Sequence, residues 1–325
     1  MLLIVKKLCS VLFFFITVRI QSVSTLNETI TPSSNNCTSR ILIPSRRKLH
    51  LGSPPPLLPD DLKWAYTRCG TIPVESYFVD DSNAGKGTHY RYSAKEMERQ
   101  ELAALNLVTS VAKLAKLPAA STTTALNGKG LALLAEALRR HTFDIIGRHA
   151  VVFGSQTPIV ETLLLAMNVS HVTSVEYNRI TYNHSKITTI TPDELDARPE
   201  TEKRFDFALS ISSFDHDGLG RYGDPLAPDG DLISQDNVRE KYLKPGGLYF
   251  LTIPIGPDVL VWNLHRRYGQ IRLPLLLEGW LEVERVGWEE SYLTTERQFT
   301  KTLEPVFVLK SPSLPLLSIP EKKEL

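Results

Sequence analysis

The chain lacks most of the signatures that mark well-known enzyme classes. Its 325 residues include only three cysteines, and no spacing of cysteine and histidine is suited to zinc. No Gly-x-Ser-x-Gly elbow, Gly-Lys-Ser/Thr phosphate loop or metalloprotease His-Glu motif occurs, which argues against nucleophilic hydrolases and kinases. The formal net charge of +1 leaves no basic surplus, so we expect no nucleic-acid partner.

Residues 1–24 have the layout of a secretory signal peptide. Two lysines precede an apolar run from Leu8 to Val18, and small and polar residues follow around Ser22 to Ser24. The run is short for a transmembrane helix, but an uncleaved signal anchor stays open because Met1 to Val5 is also apolar. We therefore expect a protein that is secreted or held in the ER or Golgi lumen, with a membrane-anchored lumenal domain as the alternative.

Two further features of the sequence fit a secretory route. An oxidising lumen would allow Cys37 and Cys69 to form one disulfide, although two free thiols are the alternative. Asn-x-Ser/Thr sequons predict a glycoprotein, and they begin at Asn27, Asn36, Asn168 and Asn183.

Composition divides the chain after the leader into four parts. Residues 25–59 are rich in Ser, Thr, Asn and Pro, which predicts a disordered linker or stem. Residues 60–148 carry two predicted helices, the first beginning at a Ser93–Glu96 capping box, and are interpreted as an N-terminal helical flank. Residues 149–310 are predicted to form the main domain, and 311–325 a tail.

The stretch from Ala150 to Glu176 reads as strand, turn, helix and strand. Its four segments are Ala150 to Phe153, Gly154 to Thr157, Pro158 to Met167 and Val172 to Val175. A parallel βαβ unit with a turn over a helix N-terminus and an acid after its second strand is typical of the nucleotide-binding half of a doubly wound sheet.

Strands and helices continue to alternate after Glu176, which predicts an α/β domain with a mostly parallel sheet. The predicted elements are an edge strand near Lys186 to Thr189, a helical turn at Pro192 to Ala197, a strand at Phe205 to Ile211, a helix at Asp229 to Tyr242, a strand at Leu248 to Ile253 and a terminal β-pair at Leu281 to Trp288 and Val306 to Leu309. The stretch between the strand at Leu248 to Ile253 and the terminal β-pair is predicted to be irregular.

Two sets of motifs in this region resemble known families. FDFALSISSFDH, followed by YLKPGGLYFLTIP, is similar to the fourth and fifth strands of class I S-adenosylmethionine-dependent methyltransferases. VFGSQTP, GLGRYGDPLAPDGD and HRRYGQIRLPLLLEGW are similar to a domain-of-unknown-function family expanded in nematodes, whose fold is methyltransferase-like. The resemblance implies a Rossmann-like class I methyltransferase fold and S-adenosylmethionine as the cofactor.

The same resemblance implies a cofactor site at the ends of the predicted strands. Glu176 would accept hydrogen bonds from both ribose hydroxyls of the donor, and hydrogen bonds to a charged group contribute about 1.5–3 kcal/mol. The residues expected beside the cofactor are Gly154, Ser155, Glu176 and Ser212.

The loop after the fourth predicted strand carries the candidate catalytic groups. His216 has an ordinary pKa near neutrality and is the candidate general base, with Asp215 beside it, and a hydrogen-bonded loop histidine is the alternative. Four residues combine aromatic and cationic groups suited to a small-molecule or glycan acceptor, namely Arg221, Tyr222, His265 and Arg266. The acids of this loop match neither a calcium loop nor a zinc pattern, so we expect no metal.

The first turn departs from the methyltransferase pattern. Val152 stands where an acid is usual, and Gln156 and Pro158 stand where further glycines are usual. The leading hypothesis is a methyltransferase acting in the secretory pathway, and these departures favour a catalytically inactive secreted binding protein as the alternative. A nicotinamide-dependent oxidoreductase, which Glu176 alone would permit, is disfavoured because the turn after the first strand lacks Gly-x-Gly-x-x-Gly and because a Lys-Pro-Gly-Gly turn is expected between the helix at Asp229 to Tyr242 and the strand at Leu248 to Ile253.

Overall fold

A computed structural model describes residues 53–84, 86–114, 128–296, 298 and 302–313 of the chain. The predicted leader, Cys37, most of the predicted linker and most of the predicted tail lie outside these residues. The helices are α1 (Asp60–Tyr66), α2 (Ala94–Leu114), α3 (Gly128–Arg140), α4 (Thr142–Ile145), α5 (Ile159–Ala166), α6 (Pro192–Asp196), α7 (Gly230–Asn237) and α8 (Arg272–Leu277). The strands are β1 (Val74–Ser76), β2 (His89–Tyr92), β3 (His149–Phe153), β4 (His171–Val175), β5 (Arg179–Tyr182), β6 (Ile187–Ile190), β7 (Phe205–Ile211), β8 (Leu243–Thr252), β9 (Val259–Trp262), β10 (His265–Arg267), β11 (Leu281–Val286) and β12 (Val306–Lys310).

The largest sheet has the strand order β6-β4-β3-β7-β8-β12-β11. The first five of these strands pair in parallel, whereas β12 runs antiparallel to both β8 and β11. The chain winds outward from β3 in one direction and then resumes at β7 in the other, which is the switch point of a doubly wound sheet. The predicted Rossmann-like class I methyltransferase fold, with its terminal antiparallel pair, is confirmed.

The strands at the centre of this sheet are buried on both faces, as parallel strands between two helical layers must be. In β3, Ala150 and Val152 belong to one core cluster and Val151 and Phe153 to another. The first cluster includes apolar side chains of α3 and α5, and the second includes those of α6, α7 and α8. This alternation explains the continuous apolar run that predicted the strand.

The predicted N-terminal helical flank is present, and its helix α2 begins with the predicted capping box. The backbone N–H of Ser93 donates to Glu96 Oε2 at 2.8 Å, and the N–H of Glu96 donates to Ser93 Oγ at 3.4 Å. The flank also contains two short strands. β1 pairs in parallel with β9, and β2 pairs in parallel with β5.

Three local predictions need correction. The stretch predicted to be irregular contains β9, β10 and α8, since the partner of β9 is the distant strand β1 and leaves no local signal. The helix predicted at Asp229 to Tyr242 divides into α7 and a π-helical turn at Val238–Tyr242. The Lys-Pro-Gly-Gly turn lies inside β8, where the register shifts against β7 and Gly246 has φ +77°.

Cys69 is disulfide-bonded. Within the described ranges, the structure contains no helix that is both long and apolar enough to cross a membrane.

Candidate functional site

The main cavity lies where β3, β4 and β7 end, at the switch point of the sheet. Its volume is about 500 Å³, within the range of about 300–1,000 Å³ that is usual for small-molecule sites. The lining includes Val152, Gly154, Ser155, Glu176, Tyr177, Asp196, Ser212, Ser213, His216, Asp217, Tyr222, Ser234, Asn237 and Tyr242. The structure thus brings together all four residues predicted to lie beside a cofactor.

Gly154 opens the turn after β3, and the structure gives a specific reason for a glycine there. Its φ is +72°, and an added Cβ would lie 1.8 Å from Ser213 Oγ and 2.4 Å from Ser213 Cβ. Its N–H donates to the carbonyl of Val175 at 2.9 Å, which ties the turn to the end of β4. The absence of a side chain at Gly154 therefore makes room for the loop after β7, whereas the sequence had suggested that it makes room for a cofactor.

Glu176 follows β4 and faces the cavity as a nearly buried carboxyl group. It is 7% exposed, and its Oε1 accepts a hydrogen bond from the backbone N–H of Asn178 at 3.3 Å. Burial raises the pKa of this carboxyl to about 7. The group can therefore be charged or neutral near neutral pH, and a ligand that donates hydrogen bonds would favour the charged form.

The cavity is acidic. Three carboxyl groups line it, those of Glu176, Asp196 and Asp217, and none of the described lining residues is Lys or Arg. Asp196 Oδ1 accepts a hydrogen bond from Tyr242 Oη at 2.6 Å, and Asp217 Oδ2 accepts one from Ser234 Oγ. The electrostatics of this lining suit a neutral or cationic ligand better than one that carries phosphates.

His216 reaches the cavity, but both of its ring nitrogens face protein groups. Nδ1 lies 2.5 Å from the carbonyl of Leu264, which can only accept, so Nδ1 carries the hydrogen. Nε2 lies 3.5 Å from Asp215 Oδ2. Burial lowers the pKa of His216 to about 4, so the imidazole is neutral at physiological pH. Its remaining lone pair is directed toward Asp215, which weakens the case for His216 as the base.

Asp215 does not line the cavity and lies behind His216. Its side chain is fully buried, and neither carboxyl oxygen has a hydrogen-bond partner among the residues that the structure describes. Burial raises its pKa to about 7. The structure thus brings the two predicted catalytic residues together, but it places only one of them on the cavity wall.

Of the four predicted acceptor residues, only Tyr222 lines the cavity. Arg221 Nε donates to Asp81 Oδ2 at 2.7 Å, and its guanidinium lies over the ring of Tyr222. His265 is buried on β10, its Nε2 has no partner among the described residues, and burial lowers its pKa to about 3. Neither side chain presents a charge to the cavity.

Arg266 binds the backbone of the loop after β7. Its guanidinium is 2% exposed and donates to four backbone carbonyls, those of Asp215, Asp217, Ala227 and Pro228. These contacts occupy the group that was predicted to bind an acceptor. Arg266 therefore positions the residues that do line the cavity.

The sequence does contain one Gly-x-Gly-x-x-Gly, at Gly218–Gly223, but its context differs from a dinucleotide site. It follows β7 and leads into no helix directly. The backbone N–H groups of Gly218 and Gly220 donate to Asp224 Oδ2 at 2.7 and 3.1 Å. Because an internal carboxyl group already occupies these donors, the motif does not form a pyrophosphate site.

Glu161 is a further buried carboxyl group, on the helix that begins at the cavity. It is fully buried on α5, its Oε1 accepts from Ser174 Oγ at 2.5 Å, and its Oε2 has no partner among the described residues. Burial raises its pKa from 4.5 to about 7.

This raised pKa makes the stability of the fold depend on pH. The folded state favours protonated Glu161, so its contribution is complete below pH 4.5 and is lost as pH rises through about 7. We expect the wild-type chain to lose up to roughly 3 kcal/mol more than Glu161→Gln between pH 5 and pH 8 in urea unfolding. The exposed Glu282→Gln is the control, and parallel pH profiles for wild type and Glu161→Gln would contradict this expectation.

Sequence reasoning missed several residues of the lining. Ser213, Asp217 and Ser234 come from the loop after β7 and from α7, and Asp196 ends α6. Only Asp217 had a usable signal, since it lies in the acidic loop that was already singled out. In the described part of the chain, no group of three His, Cys, Asp or Glu residues is placed to hold a metal ion.

One family model matches the part of the chain that holds the cavity. Residues 147–302 match the family model described as "Caenorhabditis protein of unknown function, DUF268". A comparison with curated proteins gives no match.

Three solved methyltransferase structures are similar at low identity. The 1,6-didemethyltoxoflavin-N1-methyltransferase of Burkholderia thailandensis has a TM-score of 0.39 and 16% identity, over 70% of this chain and 94% of that one. An S-adenosylmethionine-dependent methyltransferase of Mesorhizobium loti has a TM-score of 0.37 and 13% identity, over 55% and 97%. The N-methyltransferase NodS of Bradyrhizobium japonicum, in complex with S-adenosylhomocysteine, has a TM-score of 0.37 and 14% identity, over 64% and 99%.

The fold assignment rests on the strand order described above, and likenesses at these scores add nothing about activity. Residues 147–302 cover the cavity and every strand of the large sheet except β12. This part of the chain matches the DUF268 family model and has a Rossmann-like, class I methyltransferase-like fold.

Proposed function

We propose that the cavity at the ends of β3, β4 and β7 binds S-adenosylmethionine and that the domain transfers its methyl group to a small or glycan-like acceptor. One observation supports this most strongly: a strand-terminal carboxyl group, Glu176, lines a ligand-sized cavity that has three acids and no Lys or Arg among its described lining. A nicotinamide dinucleotide would bring a pyrophosphate among those acids, which like-charge repulsion opposes.

The residues present fit the proposed donor in chemical type. Glu176 would accept from the ribose hydroxyls, while acidic side chains suit the positive charges of the sulfonium and the ammonium group. The bound donor would supply a methyl group that the nucleophile of the acceptor displaces in line. The protein then has to bind and orient the two substrates and exclude water, and Tyr222 and Asn237 line the cavity with polar groups for an acceptor.

The compartment is part of the proposal. A disulfide at Cys69 supports an oxidising environment, and the sequon asparagines Asn168 and Asn183 are both exposed on the surface. We therefore place the activity in the secretory pathway, with the protein either secreted or retained in the lumen. The membrane-anchored alternative depends on the leader, which lies outside the described residues.

A catalytically inactive binding protein is the second candidate. Ser213 fills the space against Gly154, and the apolar Val152 ends the β3 side of the cavity. Neither residue offers a donor-binding charge at the turn. Such a protein would bind S-adenosylhomocysteine yet transfer no labelled methyl group to glycans or small molecules of the secretory pathway.

Parallel calorimetric titrations test the proposal. We expect S-adenosylhomocysteine to bind the full chain at one site and NADH to give no saturable heat. Glu176→Gln should weaken S-adenosylhomocysteine binding about tenfold or more, because hydrogen bonds to a charged group contribute about 1.5–3 kcal/mol. The exposed Glu282→Gln should bind as the wild type does, and binding of NADH alone would reverse the assignment.

A further inference from the structure

Asp217 is a buried cavity acid that the described protein leaves without a positive partner. It follows the 3-10 turn Phe214–His216 after β7 and lines the main cavity with 9% of its surface exposed. Its Oδ2 accepts from Ser234 Oγ, and no Lys or Arg of the described ranges forms an ion pair with it. Burying a carboxyl group without such a partner is costly, so the position invites a cationic ligand group.

The backbone around Asp217 is held firmly, so its carboxyl group is preorganised. Its carbonyl accepts from Arg266 Nη1 at 2.7 Å, and that guanidinium is occupied by four backbone carbonyls. Arg266 therefore fixes the main chain at Asp217 without pairing with its side chain. Ser234 holds the side chain from α7, and Ser234 itself lines the cavity.

The strand next to this loop offers no charge. β3 pairs with β7 and ends in Val152 and Phe153, both of which line the cavity as apolar groups. The turn that follows adds Ser155 and Gln156, which are uncharged. On the β3 and β7 side of the cavity, Asp217 is therefore the acid available to a ligand.

We propose that Asp217, held by Ser234, binds the α-ammonium group at the amino-acid end of the donor, in place of an acid on β3. This inference rests on the proposed function, since it assigns a residue to the same cofactor. It gives the two ends of the donor separate carboxyl partners, with Glu176 on the ribose and Asp217 on the amino acid.

The surroundings of Asp217 predict that binding is coupled to a proton. Burial raises its pKa well above the ordinary value, and the nearby charges of Asp224 and Asp231 add to this effect while that of Arg266 opposes it. Tyr177, after β4, also faces Asp217. A cationic ligand binds the ionised carboxyl, so binding should release a proton, and affinity should rise with pH until the unliganded group is ionised.

The test compares three ligands that share an adenosine moiety. S-adenosylmethionine and S-adenosylhomocysteine carry the amino-acid end, whereas 5′-methylthioadenosine lacks it. We expect Asp217→Asn to weaken binding of the first two about tenfold and to change binding of 5′-methylthioadenosine less than twofold. Glu176→Gln should weaken all three by similar factors, and the exposed Asp193→Asn should change none.

A second measurement uses the wild-type chain alone, which keeps the inference testable if Asp217→Asn fails to fold. Titrations in buffers of different ionisation enthalpy should show that S-adenosylhomocysteine releases more protons than 5′-methylthioadenosine.

Each unfavourable outcome has a distinct meaning. If no adenosine ligand binds the wild type, the proposed function fails. If S-adenosylhomocysteine binds but Asp217→Asn weakens all three ligands equally, or none, the ammonium assignment is overturned. Loss of S-adenosylmethionine binding alone would move the contact to the sulfonium and also overturn it, as would equal proton release by the two ligands.

Discussion

Gly154→Ala is expected to destabilise the fold and to weaken binding of S-adenosylhomocysteine at least tenfold. A side chain at φ +72° costs about 1–2 kcal/mol. The added Cβ would also lie 1.8 Å from Ser213 Oγ, and overpacking of this kind costs about 1–3 kcal/mol more. Because both residues line the cavity, their separation would distort it. Urea unfolding and calorimetric titration measure the two effects.

Gly147→Ala is the matched control for this substitution. Gly147 has φ +68° with nothing within 4 Å of an added Cβ, so this variant should show the backbone strain alone. Combining Gly154→Ala with Ser213→Gly should recover the part of the loss that comes from the clash. Equal losses in Gly154→Ala and Gly147→Ala, with no recovery in the double variant, would show that the contact with Ser213 is unimportant.

Arg272→Ala is expected to lower the free energy of unfolding by about 3–5 kcal/mol, because it removes the cation that donates hydrogen bonds to both oxygens of the buried Asp231 carboxylate. Arg272 is 2% exposed and donates to Asp231 through Nε at 2.8 Å and Nη2 at 2.5 Å. Asp231 is fully buried, and its second oxygen also accepts from Tyr268 Oη at 2.9 Å. Asp229 accepts from Arg68 at 2.6 Å and also from Arg272 Nη2 at 3.4 Å, so it keeps its closer cationic partner in this variant. Urea unfolding provides the measurement.

Lys244→Ala is the control for the loss of an ion pair. Lys244 pairs with Asp206 at 2.7 Å but is 53% exposed, so its removal should cost no more than about 1 kcal/mol. Asp231 lies on α7, one turn before Ser234, so Arg272→Ala should also weaken binding in the cavity. A loss for Arg272→Ala no larger than that for Lys244→Ala would contradict the assigned role of the buried network.

The parts of the fold that the sequence predicts well are those with local causes. The strand Phe205–Ile211 was predicted with its observed bounds because its apolar run and flanking residues mark it. The capping box at Ser93 and Glu96 depends only on residues three apart in the chain. By contrast, β9 lies between β10 and the distant strand β1, and its pairing with Val74–Ser76 across that separation leaves no local pattern.

The same distinction explains the outcome for the site. Gly154, Glu176 and Ser212 lie on the cavity because each directly follows a strand whose end defines the edge of the sheet. The loop after β7 is shaped instead by distant groups, including Arg266 and the Tyr66 hydroxyl, which donates to the carbonyl of Gly218 at 2.5 Å. The sequence alone does not show which acidic side chains of that loop these contacts direct into the cavity.

The short 3-10 turn at Phe214–His216 decides which acid of this loop reaches the cavity. Asp215 and Asp217 are two residues apart, yet the first is fully buried behind His216 and the second faces the cavity. Both are acids of the same loop, and nothing in the sequence distinguishes one from the other. Only the backbone path, held by Arg266, separates a buried carboxyl from one that a ligand can reach.

The most direct test of the central claim is a crystal structure of the full chain grown with S-adenosylhomocysteine. We expect the ligand in the cavity at the ends of β3, β4 and β7, with its ribose hydroxyls donating to the carboxylate of Glu176. Density for the ligand elsewhere on the protein, or a saturating ligand concentration that leaves this cavity without ligand density, would contradict the assignment of a donor site to this fold.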